Sequence, residues 1–261
     1  LPEIGGHVFF DLLGQAYSSG EPAQNTEGHT AFIRDGHLQD VYLNYSFKPL
    51  RNASFEVYAI IATAVDITDQ VIGRQKLQEA ERRQAFLLQL SDALRPLEDA
   101  GAIQTEAARI LGEHLKASRV GYGDVDGAEQ RWFKTEHNWT DGSVLPNLGV
   151  HDLAGFGPDV LAALQAAGHL VVNDMMDDPR TAAPEMQAAF HALQFRAVIT
   201  TSLLKEDRLV AALYVHDRNP RKWADDEVLL VQEVAERTWA AVQRASAEKS
   251  LRASEEKFRT L

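Results

Sequence analysis

Apolar residues first recur at helical spacing in residues 6–18, where Val8, Phe9, Leu12, Leu13 and Ala16 share one stripe. Ser19-Gly20 then supplies a helix stop. The period shortens in three following stretches, residues 29–34, 38–49 and 55–65, which predict strands. Asp35-Gly36 is a hairpin turn between the first two, and residues 51–54 connect the second to the third. The third is apolar on both faces near its middle and is expected to be a central strand covered on both sides.

A long helical pattern follows over residues 70–97, with no proline before Pro96 and only Gly73 inside it. Its apolar positions Ile72, Leu77, Phe86, Leu87, Leu90 and Leu94 step by mixed threes and fours, which suits an amphipathic or coiled-coil helix. At about 1.5 Å per residue it would span roughly 40 Å, longer than a small domain is wide. The chain thus reads as two modules on one connecting helix.

Beyond it the order is helix (99–116), strands (119–125 and 130–139), a Gly-, Asn- and Pro-rich loop (142–157), helix (158–167) and a short strand (170–173). A loop, a helix (184–193) and a hairpin (197–204 with 209–216) come next. Asp126-Gly127 and Glu206-Asp207 are the hairpin turns. Asp225, Asp226 and Glu227 suit the first turn of a last helix, which carries Val228, Val231, Val234, Ala235, Trp239 and Val242 and is expected to run to Leu261.

Charge and composition narrow the function. The 261 residues carry a net charge of −12, which repels phosphate backbones and anionic lipid, so neither nucleic acid nor a membrane surface is an expected partner. The longest apolar run, residues 58–65, falls far short of the ~20 residues of a membrane span. There are no cysteines, which removes disulfides, thiolate metal sites and thiol nucleophiles and is compatible with a reducing cytoplasm, the expected location. The chain starts without Met and reads as part of a longer protein.

The first module resembles the C-terminal half of a PAS domain. The resemblance rests on a helix followed by Ser19-Gly20-Glu21-Pro22, three antiparallel strands, Phe47-Lys48-Pro49-Leu50 closing the second, and Asp66-Ile67-Thr68-Asp69 closing the third. The Asp-Ile-Thr exit is the family's most recognisable signature. Its expected physical role is to hydrogen-bond the strand end to the departing helix. The runs LGEHLKASRVGYGDV, VVNDMMDDPR, FRAVITTSLLKEDRLVAALYVHD and RKWADDEVLLVQEVAERTWAAV resemble GAF domains of bacterial sensor kinases, and SLRASEEKFR resembles the start of another PAS domain. The resemblance implies an α+β fold: a partial PAS sheet (1–69), a signalling helix (70–98), a GAF domain with a central antiparallel sheet flanked by helices (99–245), and a long C-terminal helix leading into a further PAS domain (246–261).

By that resemblance the chain is a sensory and relay region of a two-component histidine kinase, passing ligand- or partner-induced changes to an output domain. PAS and GAF modules also precede diguanylate cyclases and phosphodiesterases, and a GAF domain can serve as a dimerisation spacer without a ligand. Parallel homodimerisation is expected through the long helices, with Leu77, Leu87, Leu94, Val231 and Val242 in the seam.

Candidate chemistry is sparse. Phe133, Phe156, Met186 and Phe190 are expected to line a pocket between sheet and helices, a position where apolar residues are commonly plain core. His216, in strand phase with Tyr214 and Ala212, is a candidate cavity residue. Arg196 precedes a buried-looking strand and is placed to grip an anionic group, with an ion pair to Asp174 or Asp178 as the commoner fate. The histidines show no metal-ligand spacing, and no nucleophile–base set forms, so no catalytic or metal residue is expected. Ser91–Leu97 echoes a phosphoacceptor box without its histidine. Lys222-Trp223 and Asp226-Glu227 only partly echo cyclic-nucleotide GAF domains. Phytochromes hold a bilin by thioether, which a chain without cysteine cannot do, so the ligand is open.

Overall fold

The computed structural model describes residues 7–34, 37–126, 130–166, 168–181, 183–206 and 208–259. The expected turn at Asp35-Gly36 lies outside them, as do Gly127 and Asp207 of the other two turns. The chain divides into two compact units, Leu1–Arg82 and Arg83–Leu261.

In the first unit, helix α1 (His7–Ser19) precedes strands β1 (Ala23–Arg34), β2 (His37–Arg51) and β3 (Val57–Asp66), an antiparallel sheet of order β1-β2-β3. Gly20 adopts φ +67 and donates its N–H to Ala16 O at 3.1 Å, so the stop works as expected. Ala16, Tyr45 and Phe47 form a small buried core with Phe9, Leu12 and Leu13 against them. One expectation is overturned here. The third strand is an edge, not a central strand, and Tyr58, Ile61 and Val65 are exposed, because α1 covers only one face of three strands.

The exit signature makes the bonds its chemistry allows. Thr68 N–H donates to Asp66 Oδ1 at 2.9 Å, and Thr68 Oγ1 accepts from Tyr42 N–H at 2.9 Å. The helix start is thereby tied to its own strand end and to the neighbouring strand. Helix α2 (Thr68–Leu94) departs from there.

The second unit is built on a sheet of order β6-β5-β4-β9-β8-β7, all neighbours antiparallel. Its strands are β4 (Arg119–Asp126), β5 (Trp132–Thr140), β6 (Gly149–Asp152), β7 (His169–Val172), β8 (Ala197–Lys205) and β9 (Arg208–Asp217). Helices α3 (Ala100–Leu115) and α6 (Asp225–Arg259), with the last turns of α2, cover one face. A 3-10 turn (Leu153–Phe156) and helices α4 (Pro158–Gln165) and α5 (Pro184–Ala192) cover the other. The fold is α+β, as expected. Strand β6 is an addition, inside the stretch read as loop.

Strand alternation divides the core in two. Ala197, Ile199, Leu213 and Val215 face α3 and α6, whereas Val198, Ala212 and Tyr214 face α4 and α5. Asp99 caps α3, its Oδ2 accepting from Ala102 N–H at 2.9 Å.

The helical stripes have other partners than those expected. Leu87, Leu94, Val231 and Val242 are 5%, 2%, 0% and 7% exposed, all within the core cluster of their own chain. The 3.6-residue period required burial, and the protein's own sheet and helices supply it. Leu77 is 60% exposed. Among the described residues, no helix is long and apolar enough to cross a membrane.

Candidate functional site

Beneath α4 and α5, against the inner face of the second sheet, lies a cavity of about 70 Å³. Its floor comes from alternate strand residues. On β4, Arg119, Gly121, Gly123 and Val125 point to one face by the two-residue period. A methyl at Gly121 would sit 2.2 Å from Tyr214 Oη, and one at Gly123 2.4 Å from Phe133 Cζ. The two glycines therefore give room for the tips of those rings against β4. Their φ angles are ordinary, and the constraint is steric.

The walls are aromatic. Phe156 stacks on Phe190 (5.9 Å, 17°), Phe190 meets Phe195 edge-on (5.5 Å), and Phe195 stacks on His216 (3.8 Å, 11°). His216 stacks in turn on Tyr214 (4.6 Å, 30°), which meets Phe133 at 6.0 Å. Six rings thus run in series around the space.

Behind His216 stands Arg119, opposite it in the β4–β9 register and 1% exposed. Its guanidinium donates from Nε and NH2 to Leu145 O (3.1 and 2.6 Å) and from NH2 to Leu193 O (3.0 Å). NH1 lies 3.1 Å from His216 Nδ1. A guanidinium can only donate, so Nδ1 accepts and the imidazole proton sits on Nε2. Burial, then the Arg119 charge, then His151 hold the His216 pKa well below the ordinary histidine value. Burial and the same arginine lower that of His151, whose buried Nε2 has no hydrogen-bond partner among the described residues. Burial raises the Tyr214 phenol, so all three rings are neutral near pH 7.

Of the residues singled out from sequence, Phe133, Phe156, Phe190 and His216 line this cavity together. Met186 is buried in the same cluster without lining the space; its tip reaches within 3.0 Å of where a Cβ on Gly157 would sit. Arg196 is not at the cavity. It grips Asp174 through both carboxylate oxygens, with Nε–Oδ1 at 3.0 Å, so the competing ion-pair role is the one the fold uses. Asp178 makes the equivalent fork with Arg180.

The echoes of other motifs are structural too. Glu227 accepts from Arg221 and from Ala224 N–H at the start of α6. Ser91 bonds back to Leu87 O, and Asp92 pairs with Arg95 at 3.1 Å. Among the described residues, no group of three or more acidic, histidine or cysteine side chains is placed to hold a metal.

Sequence reasoning missed Arg119, Gly121, Asn147 and Phe195. The alternation Arg119-x-Gly121-x-Gly123 carried a signal: small residues every second position on a strand mark a face against which something large lies.

A family model for the GAF domain matches residues 99–242. Among solved structures, the fold resembles a far-red absorbing dark-state protein with bound biliverdin (TM-score 0.54, 15% identity, 62% of this chain and 99% of that one). It also resembles the chromophore-binding domain of a bacteriophytochrome from R. palustris (TM-score 0.55, 10% identity, 95% and 82%). A methyl-accepting chemotaxis protein, residues 122 to 287, is similar as well (TM-score 0.51, 16% identity, 61% and 98%). At these identities the likeness is one of fold.

Proposed function

The chain belongs to the GAF domain family, and from that premise we propose that it is the sensory and relay region of a signalling protein, with a two-component histidine kinase as the parent. The observation that carries the reading is the division of one sheet into two faces. Tyr214 and His216 lie at the cavity, while Leu213 and Val215, their immediate neighbours on β9, pack against the helices that enter and leave the unit. A strand displaced from the cavity side carries its other side chains with it, because cores are close-packed. A ligand that prefers one position of β8 and β9 biases α2 and α6 by its difference in affinity for the two.

The biliverdin of the far-red absorbing neighbour is not proposed as a ligand of this chain. The chain has no cysteine for a thioether. A cavity of about 70 Å³ also lies below the roughly 300–1,000 Å³ of ordinary ligand pockets, let alone a tetrapyrrole. The same small volume favours a second reading, a dimerising spacer that senses nothing.

Homodimerisation and a cytoplasmic location belong to the proposal, with catalysis assigned to another part of the parent. The large apolar residues of α2 and α6 available for a seam are the exposed Ile72, Leu77, Leu88, Leu229 and Leu251. The test is the reading frame beyond residue 261 and phosphotransfer by its product. A phosphoacceptor histidine with an ATP-dependent autophosphorylation altered by cavity substitutions supports the proposal. A cyclase or phosphodiesterase domain there, or phosphorylation indifferent to the cavity, overturns it.

A further inference from the structure

Arg119 is a cation 1% exposed that makes no ion pair with any described residue. Four of its five N–H groups are bonded, but only to carbonyls and a neutral imidazole, so its charge is solvated without being neutralised. Next to it is His216, 6% exposed and lining the cavity, with Nε2–H as a donor that has no partner among the described residues. Asn147, Thr200 and Tyr214 are the other polar residues of the lining, and no carboxylate is among them. The Nε2 of His151, buried and without a hydrogen-bond partner among the described residues, is a further polar atom near His216. The rest of the cavity is hydrocarbon and aromatic ring.

We propose that this cavity binds a short-chain monocarboxylate, with its anionic head on His216 Nε2–H in the field of Arg119 and its alkyl tail between Phe156, Phe190 and Phe133. The volume sets the size. A space of about 70 Å³, well below the roughly 300–1,000 Å³ of ordinary ligand pockets, limits the ligand to a few non-hydrogen atoms, the size class of butyrate. The charge sets the class, because an anion there is drawn by the unneutralised field of Arg119, which stands on the other side of the His216 ring. The site deepens the sensory reading and rests on it for its role as a signal.

Calorimetric titration of the 261-residue protein with sodium butyrate, and with butyramide as its neutral counterpart, tests this. The expected result is saturable butyrate binding at least about tenfold tighter than butyramide, about 1.4 kcal/mol. His216→Phe keeps the ring stack and removes the donor, and is expected to abolish that preference. Ala212→Val narrows the cavity and is expected to weaken both ligands. Equal affinity for the two compounds, or no saturable binding of butyrate, overturns the proposal. If His216→Phe does not fold, the comparison of the two compounds on the unaltered protein decides alone. Failure here leaves the sheet-to-helix relay standing, since that is read without ligand. Loss of the relay with binding intact removes the sensory role and keeps the site.

Discussion

Arg119 NH1 and His216 Nδ1 lie 3.1 Å apart across the β4–β9 ladder, buried, with the histidine as acceptor. The pair fixes the histidine tautomer and holds the ring neutral. It also gives the protein a dependence on pH. His216 titrates well below 6.5 in the fold and near 6.5 when unfolded. The unfolded chain therefore takes up the proton first as pH falls.

Stability is thus expected to be fully present above about pH 6.5 and to decline below it, as the fold resists protonation at His216. Thermal melts between neutral and mildly acid pH should show the decline, and His216→Gln should make it shallower. The lowered pKa values of His151 and His114 leave a residual slope. A variant as acid-sensitive as the unaltered protein would remove His216 from this role.

Gly121 is needed for clearance, not for backbone freedom. A β-carbon there meets Tyr214 Oη at 2.2 Å and Cζ at 2.3 Å, both in a packed interior. Gly121→Ala is expected to destabilise the protein by about 1–3 kcal/mol, the usual range for overpacking. Chemical denaturation would measure it. An unchanged midpoint would mean that Tyr214 moves aside freely.

Leu87 and Leu77 lie on the same helix and are expected to behave oppositely. Leu87→Ala removes a 5% exposed core side chain and should cost about 2–5 kcal/mol without a specific effect on association. Leu77→Glu, at a site 60% exposed, should leave the melting temperature nearly unchanged and lower the solution mass of a dimer. Light scattering beside thermal melts separates the two. Association insensitive to Leu77→Glu would place the seam elsewhere.

Much of this fold was legible because its strands and helices announce themselves by period. The hairpin of β8 and β9 reads as two apolar runs about a polar turn, and α3 and α6 as stripes at helical spacing. Strand β6 was hidden because only four residues, Gly149–Asp152, pair with β5 in a stretch otherwise dense in turn-forming residues. The helical stripes showed that Leu87 and Val231 are buried but not against what, since an amphipathic period is the same for a core and for a dimer seam. Phe133, Phe156, Phe190 and His216 were found because large rings and strand phase are visible in a sequence. Arg119 was not, because a charged residue at the head of a strand ordinarily faces water. Its burial depends on two carbonyls, of Leu145 and Leu193, brought to it from far along the chain.

Hydrogen exchange along α6, in the unaltered protein and in Ala212→Val, tests the relay most directly. Ala212 faces the cavity, and its neighbours Ala211 and Leu213 face the helices. The account predicts that the added methyl groups change protection on the far side of the sheet, in the buried stretch of α6 from Val228 to Ala245, with the melting transition still cooperative. Changes confined to α4, α5 and the cavity walls would contradict it.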